Sequence, residues 1–474
     1  MNEQHKVEPD GILGDGVSFE PVAPHSPAYP NLRRQLAPFR VPIVLHANDP
    51  HERLYVASFD GTGNDARLDP KHATNVGLVA RQIQKDDNPR IGGGYVEGPG
   101  TQQYDPVGRL IDGMLGLTIN ERAEQMYRLF TTQAWRWKQQ DPDARITVLS
   151  VSFSRGSEVS ALFARLVDER GIQNPTGAIH AYGPNGQLKH AKYSSPPLAP
   201  PHQVAQGVAM FDPVGTGHAM HTDRRLPPSV ISGIELIALD EPRFFFKSDH
   251  IIDPGITPDG RFAGVYVPGA HSDVGGGGHR NGLAVRAGNV VIDYINGFSD
   301  EPFLVKSTEP DDPRLNVIHH PQDDKLVYRL SPKVDRQEPA GYNELQVPRS
   351  LIRRVPDPNN AEPRDEALSA RFERQPMPNG PLPAAPGHDR ESAHSDLDRW
   401  IACMYQAARQ PDPGIWNQVQ RTVVQEYMDS PDGRLFQQQV AALERTWGLP
   451  LQAQAYPPPT VLDQATSHPQ EICR

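Results

Sequence analysis

The stretch Val151-Ser152-Phe153-Ser154-Arg155-Gly156-Ser157 decides the fold. It joins an apolar run, ITVLSVSF (146–153), to an amphipathic one, GSEVSALFARLVDE (156–169). The first reads as a strand buried on both faces and the second as a helix. A serine between such a strand and such a helix is the setting of a nucleophile elbow, whose usual pattern is G-x-S-x-G. The residues two before and two after that serine must be small, because the strand and helix backbones pass close at a sharp turn. Gly156 meets this need, and Ser152 stands where the first glycine is usual. Serine is small, so the departure weakens the pattern without breaking it. The helix N-terminus also favours negative charge near Ser154. The competing reading is a capping serine at an ordinary strand–helix turn.

Outward from this turn the pattern repeats. LYVASFD (54–60), VAQGVAMFD (204–212), IELIALD (234–240) and AGVYVPG (263–269) are further apolar, unalternating runs. Between them, 74–84, 120–138 and 283–297 carry apolar residues at helical spacing, with Asn120 as the expected N-cap of the second. Strands without alternation, separated by helices, predict an α/β fold with a mostly parallel sheet covered on both faces. The expected organisation is an irregular N-terminal arm (1–52), an α/β-hydrolase-like catalytic domain (53–300), a Pro-rich extended segment (301–395) and a helical C-terminal region with a tail (396–474). Within the domain, the polar stretch 171–203 reads as a long loop insertion.

Composition narrows the function. The chain has 474 residues and a formal net charge of −11. That balance argues against nucleic acid as the main partner, since phosphate binding needs a basic face. Mean hydropathy is −0.57, and no run approaches the roughly 20 apolar residues of a spanning helix. Cys403 and Cys473 are the only cysteines, too few and too close to one end for a disulfide framework. The first residues, MNEQHKVEPDG, lack the apolar core of a secretory signal, so synthesis in the cytoplasm is expected.

An elbow needs a base and an acid, in chain order serine, acid, histidine. His271, in VPGAHSDVGGGGH, follows an apolar run and sits among glycines that let backbone approach closely. Two aspartates end strands where open α/β sheets place ligands. Asp212, in FDPVGTG, is the preferred acid, and Asp240, in ALDEPR, is the alternative. Backbone N–H groups for an oxyanion hole are expected from Arg155, after the nucleophile, and from Gly61 and Thr62 in the DGTG turn (60–63). A rival reading takes His271, Asp273 and His279 as metal ligands. GGG (92–94) and GPG (98–100) lack a following Lys-Ser/Thr and read as turns rather than phosphate loops.

Several stretches fall in one order: FDGTGN (59–64), TNV (74–76), GGGY…GPGT (92–101), SFSRGS (152–157), FDPVGT (211–216), ALDEPRF (238–244) and PGAHSDVGGG (268–277). Together they resemble the DUF2235 family, the α/β-hydrolase domain of Tle1-like type VI secretion phospholipase effectors. The family elbow usually reads G-F-S-R-G-A, so this chain departs at Ser152 and at Ser157. The resemblance covers about 53–300. It implies a lipid esterase with Ser154 as nucleophile and His271 as base, forming an acyl-enzyme. It further implies export by a type VI apparatus, a membrane phospholipid substrate, a secretion-apparatus partner and an immunity protein. No cofactor or metal is expected, with assistance by Ca²⁺ left open. Membrane contact is expected from the loop around 105–118 and from the C-terminal helices. The alternatives are a non-catalytic α/β-hydrolase-like binding module, which Ser152 keeps in view, and a metal-dependent hydrolase using the His271 cluster.

Overall fold

The computed structural model describes residues 7–22, 28–100, 118–183, 187–215, 223–324, 326–336, 361–378 and residue 425. The chain divides into two compact units, Met1–Leu382 and Pro383–Arg474. The elements below all belong to the first. Apart from residue 425, the helices expected within 396–447 lie outside the described residues, as does nearly all of the loop around 105–118.

A seven-stranded sheet forms the centre. Its strands in chain order are β1 (Glu52–Phe59), β2 (Ile91–Val96), β3 (Arg145–Phe153), β4 (Gln206–Phe211), β5 (Val230–Ala238), β6 (Gly255–Ile256) and β7 (Phe262–Val267). Their spatial order is β6-β7-β5-β4-β3-β1-β2. All neighbours run parallel except the short edge strand β6. The apolar runs become strands here because each face of the sheet is covered. Leu54 and Val56 point to one side, into a core with Val76, Val79 and Ile83 of α1 (Asn75–Lys85). Tyr55, Ala57 and Phe59 point to the other, against α2 (Ile119–Gln140) and α3 (Gly156–Arg170). Two further helices, α4 (His271–Gly275) and α5 (Gly282–Asn296), follow β7.

Helix α2 starts at Ile119 with Thr118 as its N-cap, so Asn120 lies inside the first turn rather than capping it. The polar stretch after α3 is more ordered than a loop. Ile172–Asn174 pairs with Ser195–Ala199, and Ile179–Tyr182 pairs with Leu188–Lys192, both antiparallel. These strands hold little apolar surface, and Ile179 and Tyr182 are exposed, so no hydrophobic alternation announces them. On the N-terminal side, Phe19–Pro21 pairs with Val317–His319 and ties the first residues to a distant part of the chain.

The chain starts the sheet at β1, places β2 on one side and then builds outward on the other through β3, β4, β5 and β7. The direction of winding therefore reverses between β1 and β3. Open parallel sheets bind ligands beyond the carboxyl ends of the strands at such a point. The DGTG turn follows β1 there, and Ser154 follows β3.

Candidate active site

Strand β3 ends at Phe153 and helix α3 begins at Gly156, leaving two residues to reverse direction. Ser154 adopts φ 57°, a left-handed conformation that costs a non-glycine residue about 1–3 kcal/mol. Its N–H donates to Phe211 O at 3.0 Å, and its carbonyl accepts from Ser157 N–H at 3.0 Å, so both sides of the turn are pinned. A Cβ at position 156 would sit 2.4 Å from Phe59 O, which is why this position is glycine. The two departures from the family elbow meet each other: Ser152 Oγ donates to Ser157 Oγ at 3.1 Å, both fully buried. Each supplies a partner for the polar group the other brings into the core.

The other participants arrive at neighbouring strand ends. Asp212 follows β4 with φ 40°, a second left-handed non-glycine residue. His271 opens α4 after β7. Its Nδ1 lies 2.6 Å from Asp212 Oδ2, and its Nε2 lies 2.8 Å from Ser154 Oγ. With Nδ1–H donating to the carboxylate, Nε2 accepts from the Ser154 hydroxyl. Asp212 is 0 % exposed, His271 7 % and Ser154 4 %, so the acid is sealed and the other two reach the edge of a cavity. That cavity measures about 1000 Å³. Its lining is mixed, with apolar and aromatic side chains such as Phe153, Val214, Phe245, Phe246 and Tyr328 and polar ones such as Asn64, Asp69, His72, His279 and His319.

Electrostatics set the protonation of the pair. Burial alone would raise the Asp212 carboxyl, but the Arg336 charge and the bond to His271 outweigh it and hold Asp212 at about 2. Burial also lowers His271 below its ordinary value, against the pull of Asp212. The imidazole lies between Phe153 and Phe246, with ring centroids 4.6 and 5.1 Å away. Its neutral form is thereby favoured, which leaves Nε2 able to accept a proton.

The remaining candidates separate. The Asp240 carboxylate accepts from Gly269 N–H at 2.7 Å and shapes the turn before His271. Thr62 and Arg155 line the cavity. Gly61 does not, and its N–H donates to Asp60 Oδ1 at 2.7 Å. Asp60 organises this loop from below, accepting also from Tyr95 Oη at 2.6 Å and Thr74 Oγ1 at 2.8 Å. Thr62 Oγ1 is buried without a hydrogen-bond partner among the described residues. His271, Asp273 and His279 do not converge on a common point. Both ring nitrogens of His271 are engaged, Asp273 holds His319 Nδ1 at 2.5 Å, and the His279 ring stacks edge-on against His72. Among the described residues the one histidine–carboxylate group with metal-ligand spacing is His51, Asp141 and Asp143. His51 and Asp141 precede β1 and β3, at the opposite end of the sheet from Ser154.

Three residues at this centre escaped the sequence reading. Glu241 accepts from His271 N–H at 3.2 Å and holds Arg243 through two bonds at 2.6 and 2.7 Å. Both lie in the ALDEPRF stretch, so their order in the chain was a usable signal. Arg336 had none. It lies in a polar, Pro-containing stretch and is fully buried against Asp212.

Residues 53–190 match the family model described as the catalytic domain of Tle1-like phospholipase effectors of the type VI secretion system. The resemblance is to the Tle1-like family. The match takes in the Ser154 turn and ends before Asp212, His271 and Arg336. Among solved structures, an uncharacterized protein from Pseudomonas aeruginosa is similar at 16% identity and TM-score 0.35, covering 80% of this chain and 62% of that one. The Tle1 effector bound to the VgrG spike of the type 6 secretion system is similar at 17% and 0.31, covering 50% and 52%. The apo form of Thermogutta terrifontis esterase 2 is similar at 12% and 0.28, covering 60% and 96%. The chain thus spans 62% and 52% of the length of the first two. No curated protein matches. The fold is α/β-hydrolase-like, with a mostly parallel sheet and helices on both faces.

Proposed function

We propose that this protein is a serine-dependent carboxylic-ester hydrolase that cleaves membrane phospholipids in the manner of a phospholipase A. The observation that carries this reading is the unbroken relay from Asp212 through His271 to Ser154 at the wall of a large cavity. His271 removes the Ser154 proton as Oγ attacks the ester carbonyl. The developing oxyanion lies against the backbone N–H groups of Arg155 and Thr62. Collapse expels the alcohol, which takes the proton from His271, and leaves an acyl-enzyme. Water activated by His271 then hydrolyses that ester. The mixed lining suits an amphiphile, with aromatic side chains for the acyl chain and polar ones for the headgroup. The Tle1-like match supports an antibacterial role, with export by a type VI apparatus, a secretion-apparatus partner and an immunity protein in the producing cell.

The test is hydrolysis of mixed phospholipid vesicles and of a short-chain ester by wild type, Ser154→Ala and His271→Ala, with and without chelator. Activity should fall about 10³-fold or more in both variants and be indifferent to chelator. Activity unchanged by Ser154→Ala, or wild type inert on every ester, would sink the proposal.

A further inference from the structure

We infer that Arg336 is a positioning residue for this relay: it fixes the Asp212 carboxylate and keeps His271 unprotonated so that the imidazole can serve as base. The inference rests on the esterase reading above. Both side chains are 0 % exposed. One terminal nitrogen of Arg336 bonds Asp212 Oδ1 and also donates to Ala238 O at 3.0 Å. The other donates to Phe246 O. One guanidinium thus joins the acid, the end of β5 and the turn whose Phe246 packs on His271. Asp212 Oδ1 takes one more bond, from Ala238 N–H at 2.8 Å, and Oδ2 is left to His271.

The charges around the imidazole show what the arginine adds. From the 240–246 turn come Glu241 and Arg243, which pair with each other. From β5 comes Glu235, which burial raises well above the ordinary glutamate value and which accepts from Ile252 N–H at 2.8 Å. On α4 itself, Asp273 is bonded to His319. Arg155 follows Ser154 at the cavity wall. Asp212 and Arg336 then form a second balanced pair facing His271. Without the guanidinium, an uncompensated buried carboxylate would face the ring, and a proton on His271 would be the cheapest way to neutralise it. A protonated His271 cannot accept the Ser154 proton.

The experiment compares wild type, Arg336→Gln and Arg336→Lys. Gln keeps hydrogen-bond donors and removes the charge, while Lys keeps the charge. For a soluble short-chain ester, the acid limb of kcat/KM should move up by about one pH unit in Arg336→Gln. Activity near pH 6 should then fall about tenfold with KM nearly unchanged. Arg336→Lys should return the limb towards its wild-type position. A Tm lowered in Arg336→Gln with an unmoved acid limb would overturn the proposal and leave a structural role. Histidine NMR titration in a Ser154→Ala background needs no turnover, so it reads His271 even if wild type cleaves no ester. His271 should titrate below the ordinary histidine value in the presence of Arg336 and above that position in Arg336→Gln. If Arg336→Gln does not fold, an ordinary or raised His271 midpoint with Arg336 intact overturns the proposal on its own.

Discussion

His271 and His319 lie around the same short helix, and each is buried with Nδ1 on an aspartate, at 2.6 and 2.5 Å. Their affinities for a proton are nevertheless shifted in opposite directions. Burial, with the Arg243 charge, lowers His271 against the pull of Asp212. Burial also works against the His319 cation, but bonds to Asp15 and Asp273 outweigh it and raise His319 to about 9. The difference lies in the count of balanced charges. Asp212 is matched by Arg336 before His271 is considered. His319 bridges two carboxylates, with Asp15 on Nε2 at 3.1 Å. Asp15 also accepts from the N–H groups of His279 and Arg280, so the cation locks the N-terminal segment onto the loop after α4. A histidine–aspartate bond by itself specifies neither a base nor a fixed cation.

The largest effect that could break this comparison comes from the acids. Asp212→Asn should lower kcat on an ester by about 10³–10⁴-fold, because the amide no longer holds Nδ1–H and the wrong tautomer faces Ser154. Asp240→Asn should stay within about threefold of wild type, since that carboxylate serves a backbone N–H. Equal losses in steady-state kinetics would mean that the assignment is wrong.

A smaller effect separates the fixed cation from the base. The folded pKa of His319 is raised, so its stabilisation is full below the ordinary histidine value and is lost as pH rises through about 9. Hydrogen exchange at the His279 and Arg280 amides should accelerate between pH 8 and 10 beyond the intrinsic rise. His319→Gln should abolish that pH step. A step that survives the substitution would place the switch elsewhere.

The smallest test sharpens the view of the elbow beneath His271. Ser152→Gly and Ser157→Ala should each destabilise, and the double variant should recover part of the loss. The coupling expected for one buried hydroxyl pair is about 0.5–1.5 kcal/mol, read by urea unfolding. Additive losses would mean that the two hydroxyls act independently.

The sheet was legible because its strands are buried on both faces and so leave unbroken apolar runs. The turn at Ser154 was legible because close backbone packing forces a small residue at 156. The choice between Asp212 and Asp240 was not. Both end strands, and what separates them is a left-handed backbone at Asp212 and a contact 59 residues away. Gly61 misled for a local reason: Asp60 takes its N–H, and sequence does not reveal which way a turn amide points. The paired strands after α3 were hidden because their side chains are largely polar or exposed. Arg336 was hidden because its partner lies 124 residues away and nothing in its own stretch has a period.

Asp15 and Arg336 both stand outside residues 53–300, one on each flank, and both reach into the centre. A fragment excised at those two boundaries would carry serine, histidine and aspartate intact. It would lack the counter-ion of the acid and the anchor of the loop that follows the helix bearing the base. Grafting or expressing the relay alone would therefore transplant the reacting atoms without the charges that poise them.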